Sequence, residues 1–263
     1  MTLFRRLALA CLATGLNAYE LQAETTEVLI LQDNSRNRAI PVALYFPNHR
    51  HCAAKKLCPV ALLSPGYGVP HTGYAFIAGQ LRSEGYFVVA VQHDLPTDPP
   101  LAKTGDLFSV RMPMWQRGAQ NLRFVRHHLS AVYPAFDWTA LTLIGHSNGG
   151  DISALLLRES PGFASRLITL DNRRYPLPRH DTVQVLSVRG SDFPADAGVL
   201  PAAEEQVKSV CVSTIAGSRH NDLTDQGSEV LKATINQLVL SFVRQGQCGP
   251  DVVQPGELKH LLP

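Results

Sequence analysis

Beyond residue 24 the apolar positions fall into two kinds of block. Short runs rich in Val, Ile and Leu predict buried strands at 59–64, 87–91, 141–144, 167–170, 183–188 and 210–215. Apolar residues recurring at three- and four-residue intervals predict helices at 74–84, 114–129, 151–158 and 227–244, with Gly85 and Gly246 as stops. Ahead of these, 25–31 and 40–46 are β-rich and flank the turn-like cluster Asp33-Asn34-Ser35-Arg36-Asn37, which reads as an antiparallel pair. Buried strands alternating with helices imply an α/β fold, a mostly parallel central sheet with helices on both faces. The stretch 95–113 carries Pro96, Pro99, Pro100 and Pro113 and predicts no element. It reads as a long loop past a strand end, where α/β proteins place binding surfaces.

Length and charge narrow this picture. A chain of 263 residues, 45% hydrophobic, can bury one sizeable core, so residues 24–263 are expected to form a single domain. Basic residues number 24 against 22 acidic, with no long charge run, which argues against nucleic acid or an anionic membrane surface as partner.

Residues 1–23 read as a secretory signal peptide: Arg5 and Arg6 open it, 7–16 is apolar but too short to span a bilayer, and small residues precede a cut after Ala18 or Ala23. A secreted or periplasmic location follows. Removing Cys11 leaves Cys52, Cys58, Cys211 and Cys248, which permit three pairings; an oxidising compartment favours bridges among them. Their spacings do not make a zinc site, so no metal is expected.

The candidate chemistry lies at Gly145-His146-Ser147-Asn148-Gly149, a G-x-S-x-G between a predicted strand and a predicted helix. Such a turn can hold a serine hydroxyl exposed at a sheet edge. A serine is a weak nucleophile until a base, oriented by an acid, takes its proton. Downstream histidines are His180, His220 and His260. His260 is in the terminal tail and His180 in a Pro/Arg-rich loop before a strand; His220 follows the last strand, so it is the candidate base. Asp171 and Asp192 both follow strand ends and could serve as the acid, with Asp196 more distant. Strand position alone favours Asp192. An oxyanion hole needs two backbone N–H groups. Asn148 supplies one, and the turn after 59–64 the other, through Tyr67, because Pro65 has no N–H.

Together these residues resemble the α/β-hydrolases, and among them the platelet-activating-factor acetylhydrolase-like branch, which shades into dienelactone-hydrolase-like and lipase-like proteins. The likeness runs from about 40 to 245 and rests on four blocks: 59–68, 85–93, Gly145-His146-Ser147-Asn148-Gly149-Gly150, and Gly217-Ser218-Arg219-His220 with Asp225 beyond. Pro65 stands where that branch usually has His. The resemblance implies an α/β-hydrolase fold and a cofactor-free serine hydrolase of carboxylic esters, with a small-molecule or lipid ester as substrate. It also favours Asp171, since Leu170-Asp171 leading to Tyr175-Pro176 is similar to that branch's acid segment. An acyltransferase, or a non-catalytic binding protein on the same scaffold, are the alternatives. Arg173 and Arg174 depart from the pattern; two guanidinium groups there could bind a substrate carboxylate or phosphate, or simply line a solvated loop.

Overall fold

The computed structural model describes residues 26–47, 57–205 and 207–246. The signal-peptide reading of 1–23 therefore falls outside the described residues, as do Cys52, Cys248 and His260. Among the described residues no helix is long and apolar enough to cross a membrane.

Among the described residues eight strands form one sheet in the order β1-β2-β4-β3-β5-β6-β7-β8. The first pair is the expected hairpin. β1 (Thr26–Asp33) runs antiparallel to β2 (Arg38–Tyr45). Asp33 fixes their turn by accepting from the Ser35 N–H at 3.1 Å and its hydroxyl at 2.6 Å, and Asn37 takes the left-handed conformation at φ 47°. β2 is also antiparallel to β4 (Phe87–Val91). The remaining pairings are parallel and link β4 to β3 (Cys58–Ser64), then β5 (Phe136–His146), β6 (Arg166–Leu170), β7 (Gln184–Arg189) and β8 (Val210–Thr214).

The pleat divides the core between two faces. In β3, Val60 and Leu62 join the cluster that takes in α2 (Leu107–Val132) and α3 (Asn148–Glu159). Ala61 and Leu63 point the other way, toward α1 (Ala75–Ser83) and α4 (Glu229–Gln245). Helices on both faces explain why the central strands read as continuous apolar runs rather than alternating ones. The last helix starts where Ser228 caps it, its hydroxyl accepting from the Leu231 N–H at 3.2 Å, and stops at Gly246 with φ 67°.

Two boundaries differ from the sequence reading by five residues or more. The loop expected over 95–113 is helical from Leu107 onward, with Pro113 inside α2. Proline removes one hydrogen bond from a helix, but Pro113 and most of the first turns are exposed, so the freed carbonyl can turn to water. β5 begins at Phe136, not 141, because Phe136 and Asp137 continue the pairing with Cys58 and Pro59 across an irregularity between Pro59 and Ala61.

Candidate active site

The parallel strands β3, β5, β6, β7 and β8 end at Ser64, His146, Leu170, Arg189 and Thr214. Tyr67, Ser147, Asp171, Asp192 and His220 each lie past one of these ends, on the same edge of the sheet, and Asn148 opens the helix that follows Ser147. This is the edge at which open α/β sheets bind ligands.

Ser147 sits between β5 and α3 with φ 51° and ψ −118°, a conformation that non-glycine residues avoid. Its N–H donates to the Leu170 carbonyl at 2.8 Å, and its carbonyl accepts from the N–H groups of Gly150 and Asp151. The turn can be this tight because Gly149 has no side chain: a Cβ there would lie 2.2 Å from the Ser64 carbonyl oxygen and 2.6 Å from that of Pro65.

The Ser147 hydroxyl is 2.9 Å from His220 Nε2, and His220 Nδ1 is 2.5 Å from Asp171 Oδ2. A carboxylate accepts, so Nδ1 carries the proton and Nε2 is left to accept from the serine. The residues expected at the nucleophile, base and acid positions thus form one continuous hydrogen-bonded chain. Asp192, the alternative acid, is not in it. Its Oδ1 accepts from the His220 backbone N–H at 3.0 Å. Asp196 pairs with Arg174 at 2.6 Å, and His180 Nδ1 meets the Thr182 hydroxyl at 2.6 Å, away from Ser147.

Asp171 is fully buried and also takes a left-handed conformation, φ 54°. Its Oδ2 accepts from Arg173 Nη2 at 2.9 Å and Nε at 3.1 Å. Oδ1 accepts from the Gly190 N–H at 3.2 Å and lies 2.9 Å from Arg189 Nη2, an ion pair without the alignment of a hydrogen bond. Burial raises the proton affinity of this carboxyl, but the His220 hydrogen bond and the charges of Arg189 and Arg173 outweigh it and hold the pKa below the usual carboxylate value. Arg173 also lies 3.4 Å from Asp192, and its guanidinium stacks 5.0 Å from the centre of the Phe193 ring. The two guanidiniums that could have met a substrate anion are therefore already paired with Asp171, Asp192 and Asp196.

The oxyanion candidates are adjacent to the serine. Asn148 begins α3, so its N–H is one of the donors a helix start leaves free. Its side chain is anchored by Trp115, whose Nε1 donates to Asn148 Oδ1 at 2.8 Å from the buried face of α2. The loop after β3 passes close by: a Cβ on Gly66 would be 3.4 Å from Ser147 Cβ and 2.8 Å from His146 Nδ1. The Gly66 N–H donates to the Tyr74 hydroxyl at 2.9 Å, which leaves the next amide, Tyr67, as this loop's candidate donor. Among the described residues no three His, Cys, Asp or Glu side chains are grouped as metal ligands.

Sequence reasoning missed His146 as a site residue. Its Nδ1 is 2.7 Å from the Tyr74 hydroxyl and its Nε2 3.0 Å from the His220 carbonyl. Arg189 and Tyr74 were also missed. The partners of His146 and Tyr74 lie 72, 74 and 8 positions away in the chain, and Asn172, a partner of Arg189, lies 17 away. No local pattern marks them, although His146 stands inside the motif itself.

No family model and no curated protein matches this chain. Solved structures do. A ferulic acid esterase from Streptomyces cinnamoneus aligns at 19% identity over 89% of this chain and 93% of its own, with a TM-score of 0.63. A Xanthomonas campestris α/β serine hydrolase without a lid aligns at 18% identity over 85% and 96%, TM-score 0.55. A CIB-like hydrolase from Thermoplasma acidophilum aligns at 14% identity over 84% and 99%, TM-score 0.57. The chain has the α/β-hydrolase fold.

Proposed function

We propose that the protein is a serine-dependent hydrolase of carboxylic esters that works through an acyl-enzyme. The observation that carries this reading is the unbroken chain from the Ser147 hydroxyl through His220 to Asp171, with contacts of 2.9 and 2.5 Å. Ser147 attacks the acyl carbon while His220 Nε2 takes its proton. The carbonyl π electrons move to oxygen, and the N–H groups of Tyr67 and Asn148 stabilise that charge. Asp171 holds the ring in the reactive tautomer and stabilises the imidazolium. The imidazolium then protonates the departing alcohol. Water, deprotonated by the same nitrogen, attacks the acyl-enzyme, and collapse of the second oxyanion releases the acid and returns the proton to Ser147.

The solved structures of the same fold include an esterase and a serine hydrolase, which is consistent with this chemistry. In this reading residues 24–263 form one catalytic domain acting on a small-molecule or lipid ester, with no cofactor. Export to the periplasm or beyond is part of the proposal and rests on the pattern in 1–23. Disulfides belong with it. The bonded state of the buried Cys58 and Cys211 sulfurs supports two bridges, with Cys52 and Cys248 as candidate partners.

The test is a panel of p-nitrophenyl esters of increasing acyl length, with Ser147→Ala as control. Turnover in the wild type and a loss of about 10³-fold or more in the variant is expected. A variant as active as the wild type would rule out Ser147 as nucleophile. If phosphonate-reactive wild type gives esters of an added alcohol in place of free acid, the protein is an acyltransferase. If a fluorophosphonate leaves Ser147 unlabelled, the protein is a binding protein on this scaffold.

A further inference from the structure

We propose that Tyr74 and His146 are positioning residues that hold the oxyanion loop and the base loop in a single register. The inference rests on the serine-hydrolase reading and adds a role for two residues outside the Ser-His-Asp set.

Three hydrogen bonds make the link, and their directions are forced. The His220 carbonyl can only accept, so His146 Nε2 carries the proton at 3.0 Å from it. Nδ1 of the same neutral ring is then an acceptor, and the Tyr74 hydroxyl donates to it at 2.7 Å. The hydroxyl oxygen in turn accepts from the Gly66 N–H at 2.9 Å. The relay runs from the backbone one residue before Tyr67 to the backbone of His220 itself. Both side chains are buried, Tyr74 at 1% and His146 at 3% exposure, so water cannot substitute for a lost partner. Burial, and next the neighbouring His220, push the His146 pKa down to about 3. The ring therefore stays neutral and the bond directions persist through ordinary pH.

A second tie reinforces the first. Tyr74 directly precedes α1, and the start of that helix is held by Asp225 from the base loop. Asp225 accepts from the Ala75 N–H at 2.9 Å and the Phe76 N–H at 3.0 Å, and its own N–H donates to the Gly73 carbonyl at 2.9 Å. A carboxylate at a helix N-terminus is favoured by the helix dipole. The residue that carries the relay hydroxyl is thus positioned by the loop that carries the base.

This coupling matters because the reaction separates charge between the two loops. Negative charge grows on the acyl oxygen beside the Tyr67 N–H while positive charge grows on the His220 ring. Both must be met without rearrangement, and small misplacements are costly.

Tyr74→Phe, His146→Gln, His146→Ala and the double variant Tyr74→Phe/His146→Ala test this on p-nitrophenyl acetate, with Ser147→Ala in parallel. Tyr74→Phe is expected to lower kcat about 10- to 100-fold while KM changes less than about threefold, since the relay acts in the transition state. His146→Gln keeps a donor toward the His220 carbonyl and should retain clearly more activity than His146→Ala. The double variant should lose little beyond the worse single change, because the bonds act as one unit. A Tyr74→Phe enzyme with wild-type kcat overturns the inference, as do equal losses in His146→Gln and His146→Ala; the latter pair decides the matter if Tyr74→Phe does not fold. Failure of the relay leaves Ser147→Ala inactive, whereas failure of the underlying reading leaves Ser147→Ala active, so the two are told apart in one experiment.

Discussion

Asp192 and His220 are bonded through the backbone and not through the ring. Asp192 Oδ1 takes the His220 N–H at 3.0 Å, while the imidazole Nδ1 goes to Asp171 at 2.5 Å. Both carboxylates therefore position the same residue, one by placing its loop and the other by orienting its ring. Arg173 spans the two, 2.9 Å from Asp171 and 3.4 Å from Asp192.

The two acids can be separated by isosteric change. Asp171→Asn should cost about 10³- to 10⁴-fold in kcat, because the amide can present a donor to Nδ1 and favour the wrong tautomer. Asp192→Asn keeps an oxygen for the His220 N–H and should cost less than about tenfold. Steady-state kinetics on one ester decide it, and a larger loss in Asp192→Asn would reverse the assignment.

Arg173 should help keep Asp171 ionised. Its hydrogen bond and its charge are among the effects that hold the Asp171 pKa below the ordinary carboxylate value. In Arg173→Gln that support is gone, so the stability Asp171 contributes is smaller at neutral pH and is lost at a higher pH as pH falls. The side chain is 21% exposed, and solvent screening should keep the loss at pH 7 below about 1 kcal/mol. Denaturant midpoints at pH 7 and pH 3 are the check, and equal losses at both would contradict this.

Asp151 is a stability liability at neutral pH. It is buried at the start of α3, and its Oδ1 accepts from the Tyr175 N–H at 2.9 Å and the Arg174 N–H at 3.1 Å. Burial pushes its pKa up to about 6 from an ordinary 3.8, against the opposing effect of those bonds. Between these values the folded state holds more protons than the unfolded state. The stabilisation is complete below 3.8 and lost as pH rises through about 6. Asp171, with its lowered pKa, runs the opposite way and loses its contribution as pH falls. Asp151→Asn keeps an acceptor for both N–H groups and should gain about 1–3 kcal/mol at pH 8 but little at pH 4. Denaturant midpoints at the two pH values are the check, and equal gains at both would exclude the buried charge as the cause.

The contact at Gly149 should not tolerate a methyl group. Gly149→Ala would press against the backbone oxygens of Ser64 and Pro65, not against a side chain that can turn away. The loop after β3 would have to move from Ser147, with a loss of about 1–3 kcal/mol in stability and a drop in kcat. A variant that melts and turns over like the wild type would show that this loop is freer than its packing implies.

Local pattern was enough to place most of the elements and to single out Ser147 and His220 as candidates. Apolar runs marked the strands because those strands are covered on both faces, and the strand–turn–helix setting marked Ser147 because a strained elbow needs glycines beside it. His220 followed from its place after the last strand. The start of α2 did not, because largely exposed opening turns can accept Pro113 and leave no periodic signature.

What remained undetermined in the sequence was every relationship between loops. Asp171 and Asp192 both follow strand ends; strand position alone favours Asp192, and only the family likeness favours Asp171. Only the folded sheet decides which carboxylate meets a ring and which meets a backbone amide, because that depends on loop paths 49 and 28 residues from His220. The same holds for Arg173, Arg189, Tyr74 and His146. Periodicity records which face of an element is buried, since burial repeats along the element. Hydrogen bonds between loops repeat nowhere, and they are set when parallel strands bring distant chain segments to one edge of the sheet.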